Sequence, residues 1–164
     1  VIQRGGSSSI LIWTLLAAIS NAMQAQMYDY HRTDYATVVT EGRAPGHEAA
    51  QVKSLWLRGL YRCYLMGQRL LIGLHAQVDH ALVTRSRAGV VREDDRTRYR
   101  EYFFWPVRGW NLLGDNTRFY AIGVLLCFHR IDLFFAFILV PMNLSLVVLW
   151  LWQRSADREF LPSL

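Results

Sequence analysis

Residues 133–152, LFFAFILVPMNLSLVVLWLW, form a run without one charged side chain. Coiled as a helix rising 1.5 Å per residue, such a run covers about 30 Å, the depth of a bilayer's hydrocarbon layer. Lipid offers no hydrogen bonds, so a single segment crossing it must satisfy its own backbone as a helix. The run therefore predicts a transmembrane helix. Pro141 removes one donor and predicts a kink, compensated by neighbours or by Ser145. Trp150 and Trp152 stand where an interfacial aromatic belt belongs, and Gln153-Arg154 ends the run.

Apolar character begins earlier, over 119–128, before His129, Arg130 and Asp132. Two readings follow. One is a long kinked helix from 117 to the end of the run, with Asp115 or Asn116 as its cap; the other is two elements broken near 129–132. A second apolar stretch, 10–28, predicts an N-terminal membrane helix. Its Ser20, Asn21, Gln24 and Gln26 weaken an isolated span but suit interhelical hydrogen bonding. The same stretch resembles a secretory signal, with Ser20-Asn21-Ala22 at the cleavage position. The first residue is Val1, which suits an organellar protein whose presequence has been removed.

Residues 29–47 read as a polar connection, and 48–84 as one long amphipathic helix. On that helix Arg58, Arg62 and Arg69 fall within roughly 40° of one another, a basic stripe suited to cardiolipin-like phosphates or an acidic neighbour. Residues 85–116 are charged and then aromatic. Trp105 and Trp110 read as interfacial anchors, and Arg130 as a further lipid or partner contact. The fold class is thus an all-α integral membrane protein, closing with a C-terminal membrane helix over 117–154 and a tail over 155–164.

Lys53 is the only lysine among 18 basic residues, and the net charge is +5. Arginine suits phosphate and carboxylate pairing. The basic residues flank apolar segments and match no nucleic-acid-binding motif, which excludes that class. Cys63 and Cys127 lie in apolar runs and read as buried reduced thiols.

Candidate chemistry is sparse. His75 and Asp79 have helical metal-pair spacing, and His31 with Asp34 is a similar short pair; both read as polar surface, so no metal is expected. Asp94-Asp95 alternates with arginines and reads as ion pairing. Phe128-His129-Arg130-Ile131 before an apolar run resembles the first-helix His-Arg motif of succinate dehydrogenase membrane anchors. The likeness covers four residues. Cys127 and Asp132-Leu133 depart from the family's Ser-x-x-His-Arg-x-Thr-Gly, and its further helices have no counterpart downstream. The resemblance implies haem or quinone at His129 and Arg130.

The leading expectation is a non-catalytic accessory subunit of an organellar energy-converting complex, such as a respiratory or ATP-synthase assembly. It would sit in the mitochondrial inner membrane with other membrane subunits and bound phospholipid. The rivals are a haem- or quinone-binding anchor and a small lipid-modifying enzyme using the Arg/Asp segment at Arg92–Arg100.

Overall fold

The computed structural model describes residues 7–46 and 71–164. The Arg58/Arg62/Arg69 stripe and most of the expected 48–84 helix lie outside them. Among the described residues the protein is all-helical, and backbone pairing between segments is limited to isolated bridges of Val90 with Arg43 and Arg87. The helices are α1 (Ser7–Tyr35), α2 (His75–Arg85), α3 (Glu93–Trp110), α4 (Asp115–Cys127), α5 (Phe134–Phe137) and α6 (Asn143–Phe160). A π-helical turn, Ala36–Thr40, extends α1, and another, Ile138–Met142, joins α5 to α6.

Two continuous helical stretches, Ile10–Thr40 and Ile131–Ser163, are long and apolar enough to cross a membrane. Only 28% and 22% of their most apolar windows are buried inside the molecule. Leu11, Leu15, Ile19, Val140, Leu144 and Val148 all face outward.

Three rods build the molecule. α1 runs one way, α3 and α4 return, and α5–α6 run parallel to α1. Trp110 fixes the register: its ring stacks on His31 at 4.6 Å and its indole N–H donates to Gln153 Oε1 at 3.2 Å. On one side of this layer, the apolar residues Met27, Leu113, Met142, Leu146 and Leu149 pack with Trp110. On the other, Val38, Val78, Leu82, Tyr99, Phe103 and Phe160 form the core of a head. α3 reaches both cores because Tyr99, Phe103, Pro106 and Trp110 recur every three or four residues, along one helical face.

The long helix from 117 is not formed. α4 stops at Cys127, His129 takes a left-handed φ of 54°, and the chain reverses. A charged tip explains the stop: Arg130 pairs with Asp132 at 3.2 Å, and both are exposed. The expected polar connection is also helical as far as Thr40, because its polar residues His31 and Asp34 point into the protein. The 48–84 helix is not continuous either: Gly73 adopts φ 56° and a turn precedes α2. Glycine populates that region without a Cβ clash.

In place of the expected kink, Pro141 sits in the π-helical turn, and side chains take up carbonyls around it. Gln24 Nε2 donates to Ile138 O at 3.2 Å, Asn143 Nδ2 to Leu139 O at 2.9 Å and Ser145 Oγ to Pro141 O at 2.9 Å. Ser20 Oγ donates to Asn143 Oδ1 at 2.8 Å. The amides of 10–28 therefore join α1 to the opposing helix.

Gly109 marks the closest approach of α3 to α6, since a Cβ there would stand 2.7 Å from Leu149 Cδ2 and 3.2 Å from the Trp152 ring. Gly109→Ala is expected to lower stability by about 1–2 kcal/mol through overpacking. Gly123→Ala, with nothing within 4 Å, should be neutral or stabilising by up to about 1 kcal/mol. Thermal unfolding of both variants in detergent checks the contrast; equal effects would contradict this packing.

Candidate functional site

Between the two apolar cores lies a polar layer, buried except at Asp79. α1 contributes Tyr30, His31 and Asp34, α2 contributes His75 and Asp79, and α6 contributes Gln153 and Asp157. His31, Asp34, His75, Gln153 and Asp157 are each 2% exposed or less. On α2 the same face carries His75, Val78 and Leu82, so the helix buries one imidazole with its apolar stripe. Asp79, one turn after His75, is half-buried beside it.

The centre of the layer is His75. Its Nδ1–H donates to Asp157 Oδ1 at 2.6 Å, and Gln153 Nε2 donates to the same oxygen at 3.3 Å. A carboxylate only accepts, so this bond places the imidazole proton on Nδ1 and leaves the Nε2 lone pair facing inward. Tyr99 Oη lies 3.4 Å from Nε2, and Asp79 Oδ1 lies 3.8 Å from it. The Tyr30 hydroxyl donates to the other oxygen of Asp79.

Electrostatics follow from burial. Desolvation works against a charged His75, yet the Asp157 hydrogen bond and the carboxylates of Asp79, Asp157 and Asp34 outweigh it and raise the imidazole pKa. Burial and then the Asp79, Asp34 and Asp157 charges push the Tyr99 phenol far above its usual range, so it stays a donor. Three carboxylates thus converge on one imidazole. Among the described residues no arginine or lysine pairs with any of them.

One ligand-type atom from each of Asp34, His75 and Asp79 lies within 4.8 Å of the others, a spacing that one cation can bridge. The sequence pairs His75/Asp79 and His31/Asp34, expected on the surface, instead turn inward and meet across α1 and α2, with only Asp79 left half-buried. Their separate spacings carry that signal only weakly, because nothing in either pair announces the other. In the sequence Gln153 reads only as the end of the apolar run, and Asp157 carries no signal of its own. The i, i+4 spacing of two polar residues at the end of an apolar run is the trace they leave in sequence.

The other sequence candidates fall elsewhere. Trp110, expected at an interface, is fully buried in the Trp110–His31–Gln153 layer, because its N–H has a partner there. Trp105 and Trp152 are exposed, and Trp150 donates to Leu71 O at 2.7 Å. His129 and Arg130 are exposed on the hairpin tip, far along the chain from the polar layer. Asp95 accepts from Arg92 at 2.9 Å and from Arg85 at 3.4 Å, while Asp94 is exposed.

Fold and site together define an all-helical protein with two helices apolar enough for a membrane and a buried histidine–carboxylate layer at the head-side ends of its rods. No protein-family model, curated protein or solved structure matches the chain.

Asp157→Ala would leave His75 buried without its acceptor. Loss of one partner from a buried pair costs about 3 kcal/mol, and chemical unfolding in mild detergent should register a loss of that order. A loss below about 0.5 kcal/mol would contradict the pairing.

Proposed function

We propose that this chain is an integral membrane subunit whose apolar half lies in lipid and whose head stands in water on one side. The observation that carries the reading is the agreement of two independent lengths. From His31 back to Ile10, and from Gln153 back to Asp132, each helix descends about 31 Å at 1.5 Å per residue. Both descents begin in the Trp110 layer, and both end level with the hairpin tip, where Ile10 and Trp13 line a cavity with Asp132 and Phe135. A hydrocarbon layer has that thickness. α4, with 13 residues, covers about 20 Å of the same depth and presents Phe119, Tyr120, Val124 and Leu126 outward.

Arginines support an assignment of sides. Arg43, Arg85, Arg92, Arg96 and Arg98 belong to the head, against Arg130 at the tip. The positive-inside rule puts the head on the side that retains basic loops, which is the matrix if the membrane is the inner mitochondrial one. Three arginines surround the boundary itself: Arg32, Arg108 and Arg154 each stand within two residues of the Trp110 layer and lie over Tyr28, Phe104 and Trp150. Such a collar suits the phosphates of acidic phospholipids.

Within this reading the role is that of an accessory subunit, anchored by its rods and bound to lipid and neighbouring helices. The outward apolar faces of α1, α4 and α6 support such neighbours. Arginine-dominated basicity supports an organellar energy-converting complex as the host.

Single cysteines at Ser155 and Asp132 test the topology in sealed vesicles after Cys63 and Cys127 are replaced by serine. A membrane-impermeant maleimide is expected to label S155C and D132C from opposite faces. Labelling of both from one face, or recovery of the chain in the aqueous fraction after carbonate extraction, would refute the proposal.

A further inference from the structure

We infer that Asp34, His75 and Asp79 form a binding site for one divalent transition-metal ion, of the zinc or iron(II) class. Geometry supplies the first argument. The three donor atoms lie within 4.8 Å of one another and come from two helices that the fold already holds together. Metal–ligand bonds to histidine nitrogen and carboxylate oxygen are about 2.0–2.2 Å, so the widest pair need close by only roughly an ångström.

Unsatisfied atoms supply the second. Asp34 Oδ2 and Asp79 Oδ1 are buried without a hydrogen-bond partner, and Asp34 as a whole is 2% exposed. A carboxylate oxygen removed from water and left bare is costly, and native proteins resolve such atoms with a partner or an ion. His31 Nδ1 is a third bare buried atom, and its ring centroid lies 5.0 Å from that of His75. It places a fourth potential donor atom beside the cluster.

The outer partners supply the third. A histidine that binds metal through one nitrogen usually donates its other N–H to a carboxylate or carbonyl. Asp157 does this for His75 at 2.6 Å and so turns Nε2 toward Asp79, where an ion would replace the long 3.4 Å contact with the Tyr99 hydroxyl. Tyr30 similarly fixes Asp79 through the oxygen that faces away from the unpartnered one. His75 and Asp79 are therefore oriented before any ion arrives.

Charge and ligand type select the ion. Asp34, Asp79 and Asp157 bring three carboxylates against one imidazole, an excess that a dication offsets. An imidazole donor favours zinc, iron or a neighbouring transition metal over magnesium or calcium, which prefer all-oxygen shells. Exposed His80 and His129 stand outside the cluster and give the control for surface binding.

The experiment uses the full chain in mild detergent, stripped with chelator and titrated with zinc chloride by calorimetry. Metal content is then measured after gel filtration. One equivalent of retained zinc is expected, with magnesium neither retained nor competing. Asp34→Asn and Asp79→Asn should each weaken zinc binding by at least roughly tenfold, and Asp157→Asn by about 10–100-fold as an orienting partner. The combined His80→Ala/His129→Ala variant should bind as the parent does. Because His75→Ala leaves a hole in the head, the near-isosteric Asp79→Asn decides if that variant fails to fold. Absence of stoichiometric zinc, binding unaffected by Asp34→Asn and Asp79→Asn, or binding lost with His80 and His129 would each overturn the site.

Discussion

The hydrogen bond between His75 and Asp157, 2.6 Å long and closed to solvent, is the tie on which the head depends. It joins α2 to α6 across the layer where the two apolar cores meet. A buried imidazole and three carboxylates would otherwise repel or remain bare, at a cost comparable with the whole stability of a small domain. With the bond in place, burial and charge oppose each other around one atom set. Apolar residues above and below exclude water, and exclusion of water strengthens every interaction within the layer.

The same layer separates two environments. Beneath it the rods turn leucine, phenylalanine and valine outward and keep their few polar groups inside, where Gln24 meets Asn143, the Ile138 carbonyl and the Arg118 guanidinium. Above it, polar side chains stitch backbone ends together: Arg96 donates to Val39 O at 2.9 and 2.7 Å, where the π-helical turn of α1 leaves a carbonyl open. Trp110 serves both halves. Its ring closes the lower core while its N–H reaches Gln153, so an aromatic expected to face an interface becomes the joint between zones.

The apolar rods were legible in sequence because hydrophobicity is local and long runs have few alternatives. The run over 133–152 needed no tertiary information. The helix end at Cys127 was legible only as one of two choices, since His129 and Arg130 signal polarity without saying whether the chain reverses. The polar layer was illegible for a different reason. His31, Asp34, His75 and Asp79 each look like surface residues when scored beside their neighbours; only the pairing of α1 with α2 removes water from them all. Long-range contacts of this kind leave no periodicity to read. Polar composition likewise made 29–47 look like a connection, although its first part, as far as Thr40, is helical and turns His31 and Asp34 inward.

The central claim is that the zone beneath the Trp110 layer is embedded in lipid and the head is not. A spin-label scan along the outward face of α6 and its preceding turn, at Asp132, Val140, Leu144, Val148 and Arg154 in liposomes, measures this directly. Oxygen accessibility should peak at Val140–Leu144 and fall at both ends, with the polar nickel reagent showing the inverse profile. Nickel accessibility as high at Leu144 as at Arg154 would contradict the account.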